Sequence, residues 1–330
     1  MTETISDMTT PHRLITRSDL DGIVSAMLLK SRGLVSEILF AHPKDIQDGI
    51  VDVGPQDILT CLPPHPAAGM IFSHRHQPGE SLCPADHIVC NTDAQSTTET
   101  IYHHFGGIDA FPFLSPHLLA ATRDINTARL SKQDILTPSG WTLLGYLTDS
   151  RTGLGRFRRF RISNYQLMLE LVDILRERAS IDDILAHPDV AERVEMYREH
   201  AQSARAQIVR CARVHGPLVA VDLLDEAEIF VTNRFTVYAL FPQCGLSLHV
   251  LPGKQQRNVV FAAGRSILNP VASVDIGTLM GEYGGGGHAA MGACQAEHAH
   301  AGRIKAELIQ RLTTPQAGIH PPDLNLRREA

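Results

Sequence analysis

No C-x-x-C pair occurs in this chain, whose six cysteines (Cys61, Cys83, Cys90, Cys211, Cys244 and Cys294) are scattered along it. That spacing excludes a zinc ribbon, suggests no disulfide framework and fits a reducing compartment. No stretch reaches the roughly 18 consecutive apolar residues of a membrane span. The opening MTETISDMTT is polar and acidic, without the basic start and apolar core of a secretory signal. Basic excess is missing too: 30 Lys and Arg stand against 36 Asp and Glu, for a formal net charge of −6. A protein that coats long duplex nucleic acid is therefore not expected, although a local phosphate pocket is compatible with that balance. No internal repeat is present. Together these absences predict a cytoplasmic protein with no membrane partner.

What is present is an ordinary globular composition, 43% hydrophobic and 20% charged over 330 residues, a length that favours two domains. Short apolar runs at 14–15, 36–43, 57–63 and 68–74 alternate with helical patterns at 23–29 and 96–107. This alternation predicts a mainly parallel α/β sheet, with ligand groups beyond the C-terminal ends of its strands. Amphipathic helices follow over 163–178 and 180–216, the second opening with a Ser180 to Asp183 capping signature and interrupted at Pro188. From 217 the β-branched and aromatic density rises, in LVAVDLL, IFVTNRFTVYALFP, LSLHVLP and NVVFAAGRS, and predicts a smaller α+β domain with antiparallel strands. The expected boundaries are 1–163, a helical linker over 164–215, a second domain over 216–313, and a disordered tail over 314–330.

Two motifs carry chemistry. In SDLDG (18–22), Asp19 and Asp21 follow a strand at i and i+2, and Gly22 permits a tight turn into the helix. Carboxylates so placed suit Mn²⁺ or Mg²⁺, and they equally suit a helix N-cap. In GEYGGGGHAAMGACQ (281–295), four glycines precede His288. Glycines let backbone N–H groups approach a phosphate, a following helix would add its dipole, and His288 could donate to a phosphate oxygen. A tight strand–helix turn with a capping histidine is the other reading. The arginine-rich RTGLGRFRRFR (151–161) reads either as a path for a polyanion or as a solvated basic loop. Asp149 before it reads as a ligand or a cap. Arg265, Ser266 and Asn269 in GRSILN read as phosphate contacts or as strand-and-turn residues. Surface positions are expected for His298 and His300, and a shared metal is not expected for the adjacent His103 and His104.

SDLDG near the start, a histidine motif in FSHRHQPGE (72–80) and GGGGH near the end together resemble the DHH superfamily of phosphoesterases with their DHH-associated C-terminal domain. The resemblance spans about 13 to 312. HPKDIQDG (42–49), RTGLGRFRRFRISNYQLM (151–168) and FVTNRFTVYALFPQ (230–243) are similar to the exopolyphosphatase-like bacterial subgroup. It implies a DHH-type first domain, two Mn²⁺ or Mg²⁺ ions, and hydrolysis of a nucleotide, short oligonucleotide or polyphosphate. Asp19, Asp21 and His74 match catalytic and metal positions, with Asp149 as a further metal candidate. Gly285, Gly286, Gly287, His288, Arg265 and Arg156 are the implied substrate contacts, and a homodimer is a possible assembly.

The match is incomplete. Arg17 stands where many members have a metal-binding histidine, and the name-giving Asp-His-His falls on Ser73-His74-Arg75, with His76 one residue late. Arg123 and Asn126 fall on positions that are acidic in relatives, and the second-motif aspartate falls near Cys61 or Asp57. A guanidinium has no lone pair to give a cation. The remaining ligands make a poor set for two ions held about 3.5–4 Å apart, so one ion or none is expected. The arginines would make the pocket cationic without metal. A metal-dependent phosphoesterase and a catalytically silent phospho-ligand or protein binder are the two functions that follow.

Overall fold

The computed structural model describes residues 11–74, 87–177, 180–270 and 274–314. It forms two compact units, one of residues 1–130 and 137–198, the other of 131–136 and 199–330. In the first unit β1 (His12–Thr16) leads into α1 (Leu20–Ser31), and β2 (Val35–Phe40) into the short α2 (Pro43–Gln47). Strands β3 (Asp57–Thr60), β4 (Met70–Ser73) and β5 (Ile88–Cys90) follow. The five strands form a sheet in the order β2-β1-β3-β4-β5, with every pairing parallel. Ile15, Leu59 and Ile71 face one side of it with Ile46 and Val53. On the other side the Phe72 ring meets His104 edge-on.

Helix α1 is buried on every side from Leu20 to Leu29. It packs against α3 (Thr97–His104), α4 (Pro116–Asn126), α6 (Gly140–Thr148) and α7 (Asn164–Glu177). The intervening α5 (Lys132–Leu136) belongs to the other unit, where the Asn233 amide donates to Ile135 O at 2.8 Å and Arg205 donates to Leu136 O. After α8 (Ile181–Leu185), the long α9 (Pro188–Cys211) passes from one unit to the next. Pro188 starts this helix and does not kink it, as expected for a residue lacking the N–H that a first turn leaves unpaired. Of residues 164–215, which the sequence reading gives as a linker, 164–198 fall in the first unit and 199–215 in the second. Leu167, Met168, Leu171, Val172 and Leu175 of α7 are buried in the first unit, and Lys30 holds Asp173 at 2.7 Å.

The second unit has a six-stranded sheet ordered β10-β11-β9-β8-β7-β6. Its strands are β6 (Ala212–His215), β7 (Leu218–Asp222), β8 (Leu246–Pro252), β9 (Val259–Arg265), β10 (Gly286–His288) and β11 (Met291–Ala296). Two features differ from the sequence reading. The helix ends at Cys211, and 212–215 is a strand, its alternation continuing into the hairpin with β7. IFVTNRFTVYALFP contributes the helix α10 (Thr236–Leu240) and no strand. The sheet is mixed, since β7 and β8 run parallel while the other pairs are antiparallel. Leu218, Leu248, Val250 and Phe261 pack with Ile276, Leu279 and Met280 of α11 (Ile276–Gly281) and with Ile304, Leu308 and Leu312 of α12 (His298–Thr313). Among the described residues, no helix is long and apolar enough to cross a membrane.

The glycine run does not open a helix. Gly286–His288 is itself a strand, paired with Met291–Ala296 across an Ala289–Ala290 turn. A Cβ on Gly285 would lie 2.0 Å from Ala293 O, and one on Gly287, whose φ is +156°, would lie 2.2 Å from Met291 O. Gly277 of α11 faces the Gly287 carbonyl carbon at 2.6 Å in the same sense. Gly285 and Gly287 let the two hairpin strands approach closely, and Gly277 lets α11 touch the hairpin backbone to backbone. A Cβ on Gly286 would meet nothing within 4 Å. Gly285→Ala should therefore destabilise the protein by about 1–3 kcal/mol through overpacking, and Gly286→Ala by under about 1 kcal/mol. Urea denaturation of both variants against wild type checks this contrast.

Candidate active site

Parallel sheets collect binding groups past the C-terminal ends of their strands. Here Arg17 and Asp19 follow β1, Cys61 follows β3, His74 follows β4, and Asn91 to Gln95 follow β5. Thr60 donates its hydroxyl to that of Thr16 at 2.8 Å, tying β1 to β3 directly beneath the site. The turn after β1 needs its glycine: a Cβ on Gly22 would sit 2.0 Å from the Arg17 carbonyl oxygen. Asp19 has extended backbone and caps α1, one carboxylate oxygen accepting from Gly22 N at 3.0 Å. Its other oxygen lies 3.3 Å from Arg17 Nε. Asp19 is the strongest influence on the Arg17 guanidinium and holds its proton more tightly, against the cost of burial.

Asp21 is 6% exposed and points into the protein. It accepts from the backbone N–H groups of Thr97 at 3.0 Å and Thr98 at 2.8 Å, and from the Thr98 hydroxyl at 2.7 Å. One carboxylate thus closes the N-terminus of α3, where unpaired N–H groups and the helix dipole favour negative charge. Ser96 caps the same helix by accepting from Glu99 N at 3.1 Å, and Glu99 accepts from Gln95 N at 2.7 Å.

His74 rests on this platform. Its Nδ1 lies 3.0 Å from the Thr97 hydroxyl, and its Nε2 lies 3.1 Å from Asn126 Nδ2. Asn126 Nδ2 also donates to Gln95 O at 2.7 Å, so it is an amide nitrogen and Nε2 must accept. The imidazole proton is then on Nδ1, donated to Thr97. Of the two candidates for the second acidic position, Asp57 lies at the far end of β3, gripped by Arg13 through two 2.8 Å bonds. Cys61 lies at the site, with left-handed backbone at φ 57°, and bonds to Thr97. Burial first, and then Asp21 and Asp19, push its thiol well above the ordinary value, so it is not a thiolate. Arg75 and His76, with the rest of residues 75–86, lie outside the described residues.

Asp149 caps the 3-10 turn Ser150–Thr152, accepting from Arg151 N at 2.9 Å. Arg151 also clamps both its oxygens, at 2.7 and 2.8 Å. Arg123 pairs with Asp124 at 3.3 Å and reaches Glu99 at 3.9 Å. In the arginine-rich loop, Arg161 holds the buried Asp189, and Arg156 is exposed with its guanidinium folded over Gly153.

These facts bear directly on metal binding. Asp21 gives both oxygens to α3, His74 gives both nitrogens to Thr97 and Asn126, and Asp149 gives both oxygens to Arg151. Among the described residues, no three His, Cys, Asp or Glu side chains are grouped so as to hold a metal ion. Asp19, Asp21, His74 and Asp149 in these arrangements do not fit a two-metal centre.

The second unit holds its own cluster. Arg265 ends β9, its backbone N–H bonding to Ala290 O at 2.9 Å and its guanidinium to Val274 O at 3.1 Å. His288, exposed at the end of β10, accepts from Ala290 N at 3.3 Å. Both therefore flank the hairpin turn. Arg234, which the sequence reading passed over, reaches the same hairpin at Met291 Sδ, 3.5 Å away. The sequence reading also passed over Thr97 and Thr98. Their signal was the Ser96-x-x-Glu99 cap spacing, which marks a helix start whose N–H groups need an acceptor.

No protein-family model matches the chain, and no curated protein does. Among solved structures it matches PggH, a pGpG-specific phosphodiesterase from Vibrio cholerae, at 45% identity and a TM-score of 0.73, covering 91% of this chain and 98% of that one. It also matches RecJ in complex with Mn²⁺ from Thermus thermophilus, at 13% identity and a TM-score of 0.50. That match covers 90% of this chain and 51% of RecJ, and is a likeness of fold.

Two measurements test this site. Asp21→Asn leaves one acceptor oxygen and no charge where three donors converge, and should cost about 2–3 kcal/mol. Asp19→Asn keeps a competent cap and should cost under about 1 kcal/mol. Urea denaturation without added metal separates the two. Burial would raise the Asp149 carboxyl, but Arg151 outweighs it and holds the group below its ordinary 3.8. A carboxyl lowered in the fold stabilises it above the unfolded-state value, and that contribution disappears as pH falls through the folded value. Arg151→Met leaves the burial and removes the cation, so its acid unfolding, followed by circular dichroism, should begin at a higher pH than in wild type.

Proposed function

Because the chain belongs to the DHH superfamily of phosphoesterases, we propose that it hydrolyses a short 5′-phosphorylated dinucleotide of the pGpG type. The observation that carries this reading is the 45% identity to a pGpG-specific phosphodiesterase, over 91% of this chain and 98% of that one. The overlap takes in both units and is not confined to a shared nucleotide-binding fold. In such a reaction the oxygen of water bonds to phosphorus and the P–O3′ bond breaks, so each dinucleotide yields two molecules of GMP. A substrate of this class favours a cytoplasmic location.

Mn²⁺ or Mg²⁺ is the cofactor that the superfamily implies. It would supply an activated water and charge neutralisation. The described side chains, as hydrogen-bonded here, do not form a pair of sites for it, and the chain's own residues account for the rest. Asp19, at the C-terminal end of β1, faces Arg17. His74 is fixed in one tautomer by Thr97 and Asn126, with its ring oriented before any ligand arrives. Within the second unit, Gly286, His288 and Arg265 are the groups we assign to phosphate contact. The engaged state of Asp21 and His74 favours the second reading, a phospho-ligand binder without turnover.

The test is incubation of the purified chain with pGpG, pApA or polyphosphate, with and without added Mn²⁺, and chromatography of the products. The expected result is GMP from pGpG, formed at least about tenfold faster than AMP from pApA, a ratio that base-specific hydrogen bonds readily supply. Binding of pGpG without GMP would identify a silent binder. Preferential release of phosphate from polyphosphate would move the chain to the exopolyphosphatase-like reading.

A further inference from the structure

The strand-end site contains a cation of its own. Arg17 is the first residue past β1, and its side chain is 31% exposed. Its electrostatic neighbours are Asp19, Asp149, Cys61 and Asp21. Among the described residues its one ion-pair partner is Asp19, which meets it through Nε. The other two carboxylates are engaged elsewhere, Asp21 with the N-terminus of α3 and Asp149 with Arg151. Among the described residues no hydrogen bond engages the two terminal nitrogens of the guanidinium, and Asp19 comes closest to it at Nε. A planar fork of donors, permanently charged and steadied at Nε by one carboxylate, is the arrangement that recognises phosphate oxygens in pairs. The same fixed charge opposes a divalent cation beside it.

We propose that Arg17 is the phosphate-anchoring residue of this site, taking phosphate oxygens of the nucleotide at the position where many relatives hold a metal through histidine. This rests on the dinucleotide reading above. Asp19 then acts as a positioning residue that aims the guanidinium, and Gly22 keeps the turn tight enough for both to face outward. Positive charge then stays at the strand ends but is carried by the chain itself.

Calorimetric binding of pGpG and pApA in EDTA tests this with wild type, Arg17→Met and Arg17→Lys. The expected result is that wild type binds both dinucleotides without metal. Arg17→Met should weaken each by about tenfold or more, and Arg17→Lys should recover part of the loss, since charge survives without the bidentate fork. A purely structural partner of Asp19 would lower the melting temperature and leave the affinity of the folded protein unchanged. Melting temperatures accompany each variant, and if Arg17→Met melts early, Arg17→Gln carries the same comparison. Unchanged affinity in a stable Arg17→Met protein would overturn the proposal. So would a wild type that binds neither dinucleotide in EDTA and both with Mn²⁺. GMP formation from pGpG, measured separately, distinguishes the two ideas. Turnover with Arg17-independent binding sinks the anchor alone, and Arg17-dependent binding without turnover sinks hydrolysis alone.

Discussion

The arrangement of the N-terminal unit depends on one carboxylate closing one helix. Asp21 lies in the first turn of α1, yet its side chain caps α3, more than seventy residues along the chain, through three donors at 2.7–3.0 Å. A buried carboxylate is costly unless its charge is met by donors, and a helix N-terminus supplies both N–H groups and dipole. The consequence spreads outward. α3 is fixed against α1, so Thr97 is fixed; Thr97 holds His74, and Asn126 on α4 holds the opposite face of the same ring. Recruiting Asp21 as a metal ligand would mean withdrawing it from the end of a helix, with a buried start left unsatisfied.

A comparable exchange of roles occurs in the C-terminal unit. Glycine runs are associated with phosphate because bare backbone can approach it. In this chain three of the relevant glycines face other backbone: Gly285 meets Ala293 and Cys294, Gly287 meets Met291, and Gly277 meets Gly287. Only Gly286 opens onto free space within the run's paired segment. The motif therefore combines a packing requirement with a small exposed window, and His288 and Arg265 flank the turn beside that window.

How much of this was legible in the sequence follows from what each signal measures. The parallel sheet was legible because β1, β3 and β4 are short apolar runs ended by polar residues, and the alternation with helices leaves few other topologies. Asp19 and Asp21 were legible as a pair with two meanings, cap or ligand, because D-x-D serves both. The structure shows that each of them caps a helix, Asp19 its own α1 and Asp21, across the fold, α3. Asp57 and Cys61 both fell inside the expected run 57–63; the strand ends at Thr60, which leaves Asp57 at its start and Cys61 just past its C-terminal end, a boundary that spacing alone does not fix. The glycine run misled about the element that follows it. Small residues such as Ala289, Ala290 and Gly292 favour a helix start and a tight hairpin alike, and the edge pairing with β9 through β11 decided the matter. IFVTNRFTVYALFP failed as a strand for a different reason. Its β-branched residues fill a core around α10, where burial overrides propensity.

Charge balance connects these observations to chemistry. A site built from aspartates around two divalent ions is stable because the ions cancel the carboxylates. Without such ions, clustered carboxylates repel and their protons return. Here each carboxylate has a partner supplied by the chain: Asp19 faces Arg17, Asp149 faces Arg151, and Asp21 faces the α3 N-terminus. The cluster is close to neutral as it stands. A divalent ion entering it would break hydrogen bonds already made and stand beside fixed guanidinium charge. A phosphate would meet a guanidinium whose terminal nitrogens, among the described residues, make no hydrogen bond. Arg17 and Arg151 thus meet within the chain the charge of Asp19 and Asp149.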